Sequence, residues 1–249
     1  MDTTIPDIIA FDAALLEERE YWVGRLSRGR APSNLIAEHQ RPAFYAADRD
    51  AFDFALPDEA QRRLTALAGG SPFLTYTALV AAVGVCLQRY TGGEGVAVGS
   101  PALKEHGRPN ALAIAFDVDE RASFRELLLR VRETLLESYA RQSYPFTHLV
   151  RDLAPEQSGL RCPLFDVALV HADIHGELHD AGNDITVTFE GEAGRLRGRV
   201  DYNKALFGRP QLERFVGHVF NALIRGIEDS ERPLRDIQLL SEAERSRLL

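Results

Sequence analysis

Hydrophobic and polar positions alternate along this chain with two different periods, and the switches between them mark out its elements. Phe11, Leu15, Trp22 and Leu26 recur at helical spacing with charged residues opposite, which predicts a helix over residues 11–26. Residues 28–50, rich in Arg, Ala and Pro, read as a connector. Phe52 and Phe54 alternate with Asp53 in a short strand over 51–56. Asp58 followed by Gln61 has the spacing of a capping box for a helix that stops at Gly69-Gly70. Ser71-Pro72 opens the next helix, which runs to about Tyr90 and is apolar nearly all round. Such a helix belongs in an interior.

Strands are predicted over 96–100 and 111–118, followed by an amphipathic helix over 121–142 that aligns Phe124, Leu128, Val131, Leu135 and Tyr139. Three further strands, 165–170, 185–189 and 196–202, follow, the last two closing as a hairpin through Gly191 to Gly194. A long helix over 210–228 buries Leu212, Phe215, Val219, Leu223 and Ile227. Ser241 with Glu244 again has capping-box spacing, which predicts a short terminal helix after an exposed linker. Helices and strands alternate without a regular βαβ rhythm. The expected fold class is therefore α/β, a mixed β-sheet covered by helices in one unit.

The 249 residues suffice for a substantial core. A formal charge of −8 argues against nucleic acid as a general partner, since phosphate recognition needs a basic face. Cys86 and Cys162 make no disulfide framework and read as reduced and buried. The start, with Asp2 and Asp7, lacks the basic region of a secretory signal. No apolar run approaches the roughly 20 residues that a membrane helix requires, so a cytoplasmic location is expected.

Read in order, the segments resemble the C-terminal lobe of a nonribosomal peptide synthetase condensation domain. The helix with Tyr21-Trp22 is similar to the one that enters that lobe, and Phe73-Leu74-Thr75, Arg89-Tyr90-Thr91-Gly92 and Val98-Gly99-Ser100-Pro101 follow as in the family. Tyr144-Pro145-Phe146 looks like its Pro-Phe-Glu motif with Thr147 at the acidic position. Pro163-Leu164-Phe165-Asp166-Val167 looks like Pro-Leu-Phe-Gln-Val with Asp166 in place of Gln. Tyr202-Asn203 precedes the last long helix, and Ile237 to Leu249, including Leu239 and Leu240, resembles the linker toward an adenylation domain. The resemblance implies a single chloramphenicol-acetyltransferase-like lobe over 1–229 and a linker over 230–249.

The family's chemistry rests on a His-His-x-x-x-Asp-Gly motif in the other lobe, whose second His acts on the attacking amine. This sequence contains no Asp-Gly dipeptide and no such motif. The stretch from Gly99 to Phe124 is also shorter than in typical relatives, with Ile114-Ala115-Phe116-Asp117 where Phe-Val-Asn is usual.

Other constellations are weaker. His171, His175 and His179 would share a helix face suited to zinc, but nearby glycines favour a solvated loop. Gly92-Gly93-Glu94-Gly95 sits between a helix and a strand, the reverse of a nucleotide-binding loop, and reads as a turn. His148 reads as structural.

No catalytic, cofactor-binding or metal-binding residue is therefore expected in this chain. The expected function is a truncated, non-catalytic lobe that interacts with an adenylation domain or a carrier protein, the carrier bringing any phosphopantetheine. The alternative is half of a split enzyme that forms amide bonds once paired with a separate His-bearing N-terminal lobe; by itself the chain leans toward no activity. A free-standing trimeric acyltransferase is a weaker reading, because it would need a catalytic His on this chain.

Overall fold

The structure is a computed structural model that describes residues 13–27, 35–39, 48–93, 95–154, 161–192 and 195–248. Its elements are α1 (Ala13–Leu26), β1 (Arg49–Ala55), α2 (Asp58–Ala68), α3 (Pro72–Thr91), β2 (Gly95–Pro101), β3 (Ala111–Asp117) and α4 (Phe124–Tyr139). They continue with α5 (Phe146–Leu153), β4 (Val167–His171), β5 (Ile185–Glu192), β6 (Arg195–Asn203), α6 (Arg209–Glu228) and α7 (Glu242–Leu248). The strands form one six-stranded sheet in the order β1-β6-β5-β4-β2-β3. β4 runs parallel to β2 and β5, and the remaining pairs are antiparallel. The mixed α/β sheet expected from the sequence is the one observed.

Alternation along each strand gives the sheet two unlike faces. Val98, Ile114, Phe116, Leu169, Val187 and Val200 point into the main core with α2, α3, α4 and α6. That core contains α3, whose residues Tyr76 to Gln88 are buried without a break. Its 20 residues are long and apolar enough to cross a membrane by length and composition, contrary to the expectation that no run is so long. Here the helix is instead an interior one. Ser71 accepts the Leu74 N–H at 3.3 Å and caps it, with Pro72 in the first turn, as the sequence implies. At its other end Gly92 takes a left-handed φ of 70° and turns the chain into β2, so the glycine run is a turn.

On the opposite face, β2, β3 and β4 carry small residues, among them Ala97, Ala113, Ala115 and Ala168. Phe146, Val150 and Phe165 lie directly on them. Gly99 belongs to this floor: any Cβ there would run into the Phe165 ring. Among the described residues, nothing covers the other half of this face. Arg195, Arg197, Arg199, Asp53 and Glu190 are exposed on β6, β1 and β5, with Arg199 pairing across strands to Asp53 at 3.3 Å.

Several local expectations need correction. Asp58 and Gln61 do not form a capping box: Pro57 is the N-cap, Asp58 pairs with Arg195, and the Gln61 side chain accepts the Leu196 N–H at 2.8 Å. A capping box that was not expected opens α4 at Ser123 and Glu126, so that helix starts at Phe124 rather than Arg121. Leu128 is only half-buried, because the inward stripe runs through Phe124, Leu127, Val131 and Leu135. α5 was not foreseen; its eight residues are too few to show a helical period. Phe11 and the hairpin tip at 193–194 lie outside the described residues.

α1 straps the end of α4 to the second face. Trp22 is buried at 1% exposure and donates its indole N–H to the Arg141 carbonyl at 2.8 Å. Arg25 donates to the Ala115 carbonyl at 2.9 Å, occupying the free edge of β3, and to Thr134 and Glu137 on α4. Arg141 lies over the Tyr21 ring, 4.4 Å from its centroid. Replacing Trp22 with Ala removes a fully buried ring and that bond. The expected loss is about 3–5 kcal/mol of unfolding free energy, measured as a lower urea midpoint.

Candidate functional site

The sequence-selected residues gather on the small-residue side of the sheet. Tyr144, Pro145 and Phe146 link the end of α4 to α5, and their backbone is held from two sides. Asn110, just before β3, donates its amide to the carbonyls of Gln142 and Tyr144, both at 2.9 Å. Its carbonyl accepts the Phe146 N–H at 3.0 Å. From the other side, the Glu18 carboxylate accepts the N–H groups of Ser143 and Tyr144 at 2.9 and 2.8 Å. The Tyr144 hydroxyl donates to Asp152 at 2.7 Å, where Arg19 also donates at 2.8 Å. Burial and this carboxylate push the Tyr144 phenol up to about 12. Thr147 points to solvent and His148 is half-buried beside the Tyr144 ring.

Phe146 meets the next motif directly, its ring centroid 5.7 Å from that of Phe165. Pro163 and Leu164 lead into Phe165, and Asp166 follows with its carboxylate fully buried. Arg161 pairs with Asp166 and, at 3.1 Å, with Asp184, which is also fully buried. A Gln at position 166 would need no cation. The acid at that position requires one, since an unpaired buried charge is costly. Asn203 joins the same cluster: its amide donates to Asp184 at 3.3 Å and its backbone N–H to the Asp184 carbonyl at 2.9 Å. Arg49 adds a bond to that carbonyl at 3.0 Å. Tyr202, one residue earlier, packs 6.0 Å from Phe52 and donates to Asp50 at 3.1 Å. The structure therefore brings all three motifs into one continuous support beneath and beside the sheet.

Asn110, Glu18, Arg161 and Asp184 are the residues that the sequence reading missed. Their partners are remote along the chain, except that Arg161 and Asp166 are five residues apart in a stretch without regular structure, so no helical or strand spacing reveals them. Asp166 carried the one available signal, because an acid inside a buried apolar stretch calls for a cation nearby.

The three histidines do not share a helix face. His171 ends β4, residues 172–174 turn, and His175 bridges to Leu103. The expected solvated loop is corrected for two of them, since His171 and His175 are 2% and 3% exposed. His175 Nδ1 accepts the His171 N–H at 2.9 Å, which puts its proton on Nε2. Nε2 then donates to the Tyr139 hydroxyl at 2.7 Å, and Tyr139 bonds Ser100 at 2.9 Å. Burial, with lesser contributions from His171 and Lys104, pushes His175 down to about 3. This Ser–Tyr–His group is sealed inside the core and presents nothing to a substrate. Among the described residues, no three His, Cys, Asp or Glu side chains converge as a metal site. Cys86 and Cys162 are free and buried.

Among the described residues, two surface clefts lie elsewhere. One of about 770 Å³ is lined by Gln88, Asp117, Asp119, Glu120, Arg121 and Arg235. The other, of about 450 Å³, lies along the open charged strands with Asp53, Thr188, Glu190, Arg197 and Arg199. No motif residue lines either one. The C-terminal linker is less exposed than expected. Ile237 is buried at 2% exposure, Leu239 packs on the core and Leu240 is half-buried.

Comparison with known proteins agrees with this architecture. The family model described as condensation domain matches residues 9–249. The chain belongs to the condensation-domain family. It is 29% identical over 260 residues to bacitracin synthase 1 of Bacillus licheniformis and 31% identical over 257 residues to bacitracin synthase 3 of the same organism. These alignments cover 94% and 93% of this chain but only 5% and 4% of those proteins, so the condensation lobe spans about one-twentieth of their length. Among solved structures, it superposes on a four-domain nonribosomal peptide synthetase bound to AMP and glycine with a TM-score of 0.78 at 19% identity, covering 94% of this chain and 20% of that one. The X-domain in complex with OxyB from teicoplanin biosynthesis gives 0.78 at 17%, covering 96% and 58%. The fold is that of a chloramphenicol-acetyltransferase-like lobe, in line with the sequence resemblance.

Replacing Asn110 with Ala removes three hydrogen bonds and leaves buried backbone groups without partners. A loss of about 2–4 kcal/mol is expected in denaturant unfolding. The buried His175 makes stability depend on pH. Its folded-state value lies below the ordinary 6.5, so its contribution is complete above that value and is lost as pH falls toward 3. From pH 7 to pH 5 this group costs about 2 kcal/mol. The urea midpoint of a His175→Phe variant should fall less over the same interval.

Proposed function

We propose that this condensation lobe is a non-catalytic structural and interaction module of a nonribosomal peptide synthetase, seated beside an adenylation or carrier domain. The observation that carries this reading is the placement of its histidines. His171 and His175 are enclosed in the core, and His218 is occupied by Tyr90 and Glu244. The remaining histidines, His39, His106, His148 and His179, reach solvent, but none of them stands in a His-His-x-x-x-Asp-Gly motif that would place it on an amine. The surface around Ile237, Leu239 and Leu240 is the proposed side of contact with an adenylation domain. The X-domain supplies a precedent, since it is of the same fold and is found in complex with a second protein, OxyB. Such a module needs no cofactor of its own, because phosphopantetheine would ride on the carrier protein. It would work in the cytoplasm, without nucleic acid or membrane.

One observation favours a second reading. The open half-sheet of β1, β6 and β5 leaves a charged face uncovered beside well-supported motifs. A separate His-bearing N-terminal lobe seated there would make a split amide-forming enzyme, with this half orienting carrier-bound substrates.

Titration calorimetry of this chain with the adenylation domain of its own synthetase tests the first reading. Binding is expected, and Leu240→Asp should weaken it about tenfold, or about 1.4 kcal/mol. Parallel assays with loaded donor and acceptor carrier proteins should give no amide product. Product formed by this chain alone would overturn the non-catalytic reading, and product formed only after adding a His-bearing lobe would favour the second.

A further inference from the structure

Residues 229–248 leave α6 and run back over the lobe, and for most of that length they are firmly seated. The Ser230 carbonyl accepts the Arg125 N–H, and the N–H groups of Leu234 and Arg235 donate to the carbonyls of Ala122 and Glu120, each at 2.9 Å. Arg89 donates to the Leu234 carbonyl at 2.8 Å, and Asn221 to the Leu239 carbonyl at 2.6 Å. Leu234 and Ile237 are buried between these bonds.

α7 is attached differently. Glu242, Ala243, Arg245, Ser246 and Arg247 are all exposed. Among the described residues of this helix, Glu244 carries the side-chain bond to the body of the lobe. One of its oxygens accepts the Ser241 N–H at 2.8 Å and the Ser241 hydroxyl at 2.7 Å, completing the N-terminal capping box. The other accepts from His218 Nε2, on α6, at 3.2 Å. His218 is buried, and its Nδ1 lies 2.7 Å from the Tyr90 hydroxyl of α3. With Tyr90 donating to Nδ1, the imidazole proton sits on Nε2 and points at Glu244. Tyr90 therefore sets the tautomer that the contact needs. Neighbouring aromatic packing keeps Tyr90 in place, its ring centroid 5.8 Å from that of Phe215.

One carboxylate thus performs two separable tasks: it keeps α7 helical through the cap, and it fixes where α7 lies through His218. We propose that α7 is a latched helix, held on the α3–α6 surface by the Tyr90–His218–Glu244 chain and released to swing as a unit about Leu240 when the His218–Glu244 bond opens. The residues up to Leu239 stay seated in both states. A helix of two turns is marginal by propensity, and its capping box lies wholly within residues 241–244, so this support travels with it. The latch operates within this chain, and its test is independent of whether the lobe docks on an adenylation domain.

The test is a spin-label distance measurement between Ser246→Cys on α7 and Glu213→Cys on α6, both exposed positions, the native cysteines being buried. The parent protein should give one narrow distance distribution. His218→Phe, which keeps a ring but loses the donor, should give a broad one. Glu244→Gln keeps both an acceptor for His218 and a capping side chain, and should stay narrow. If His218→Phe fails to fold, Tyr90→Phe, which removes a single hydroxyl, should broaden the distribution in its place. A broad distribution in the parent, or a narrow one in the folded donor-loss variant, overturns the latch. The Arg245 N–H, bonded to the Ser241 carbonyl at 3.0 Å, should remain as protected from exchange in the released variant as in the parent. Its loss of protection on release would overturn movement as an intact helix.

Discussion

From Tyr76 to Gln88, every turn of α3 is buried, and the other layers are arranged around that demand. An apolar helix with no solvent face needs partners all round, and a single sheet covers only one side. The sheet supplies β2 and β4 beneath it, while α2, α4 and α6 close the remaining sides. Side chains such as Leu79, Val83 and Leu87 each contribute roughly 1.5–3 kcal/mol when fully buried, so this helix anchors much of the core. The fit is close enough that Gly84 has no room for a Cβ, because the Phe116 ring from β3 occupies that place.

With four helices committed to one face, the other face of the sheet is left to shorter pieces of chain. Its small-residue half accepts the Phe146 and Phe165 rings almost on the backbone, and this close approach is what seats the Tyr144–Phe146 and Pro163–Phe165 motifs. α1 then ties the first motif down through Trp22, Glu18 and Arg19. Arg161 pairs with both buried acids beside the second motif. The motif residues touch each other, the sheet and the strap. The open charged half of the face and the half-exposed linker remain as the surfaces available to neighbours.

The same logic accounts for the histidines. His171 and His175 lie where β4 ends and the chain turns under Tyr76 and Tyr139, a place with no access to solvent. A neutral imidazole there can satisfy two neighbours at once, as donor through one nitrogen and acceptor through the other. A charged one would be penalised by the same burial. The group therefore serves packing and is unsuited to proton transfer with a bound substrate.

Much of this was legible along the chain. Periodicity located α3, α4, α6 and all six strands to within about three residues, because burial on one or all sides writes a local pattern into the residues themselves. Motif order revealed the family for a similar reason, since those residues stand close together in sequence. The eight-residue α5 was hidden, and so was the failure of Asp58 and Gln61 to cap α2, whose side chains turn instead to β6. The sequence by itself determined the elements, the α/β class and the absence of the family's histidine motif from these residues. Only the tertiary structure decided that His171 and His175 are interior, that Asn110 and Arg161 hold the motifs, and that Glu244 reaches His218. Each of those depends on side chains brought together from distant positions, and one-dimensional spacing carries no record of such encounters.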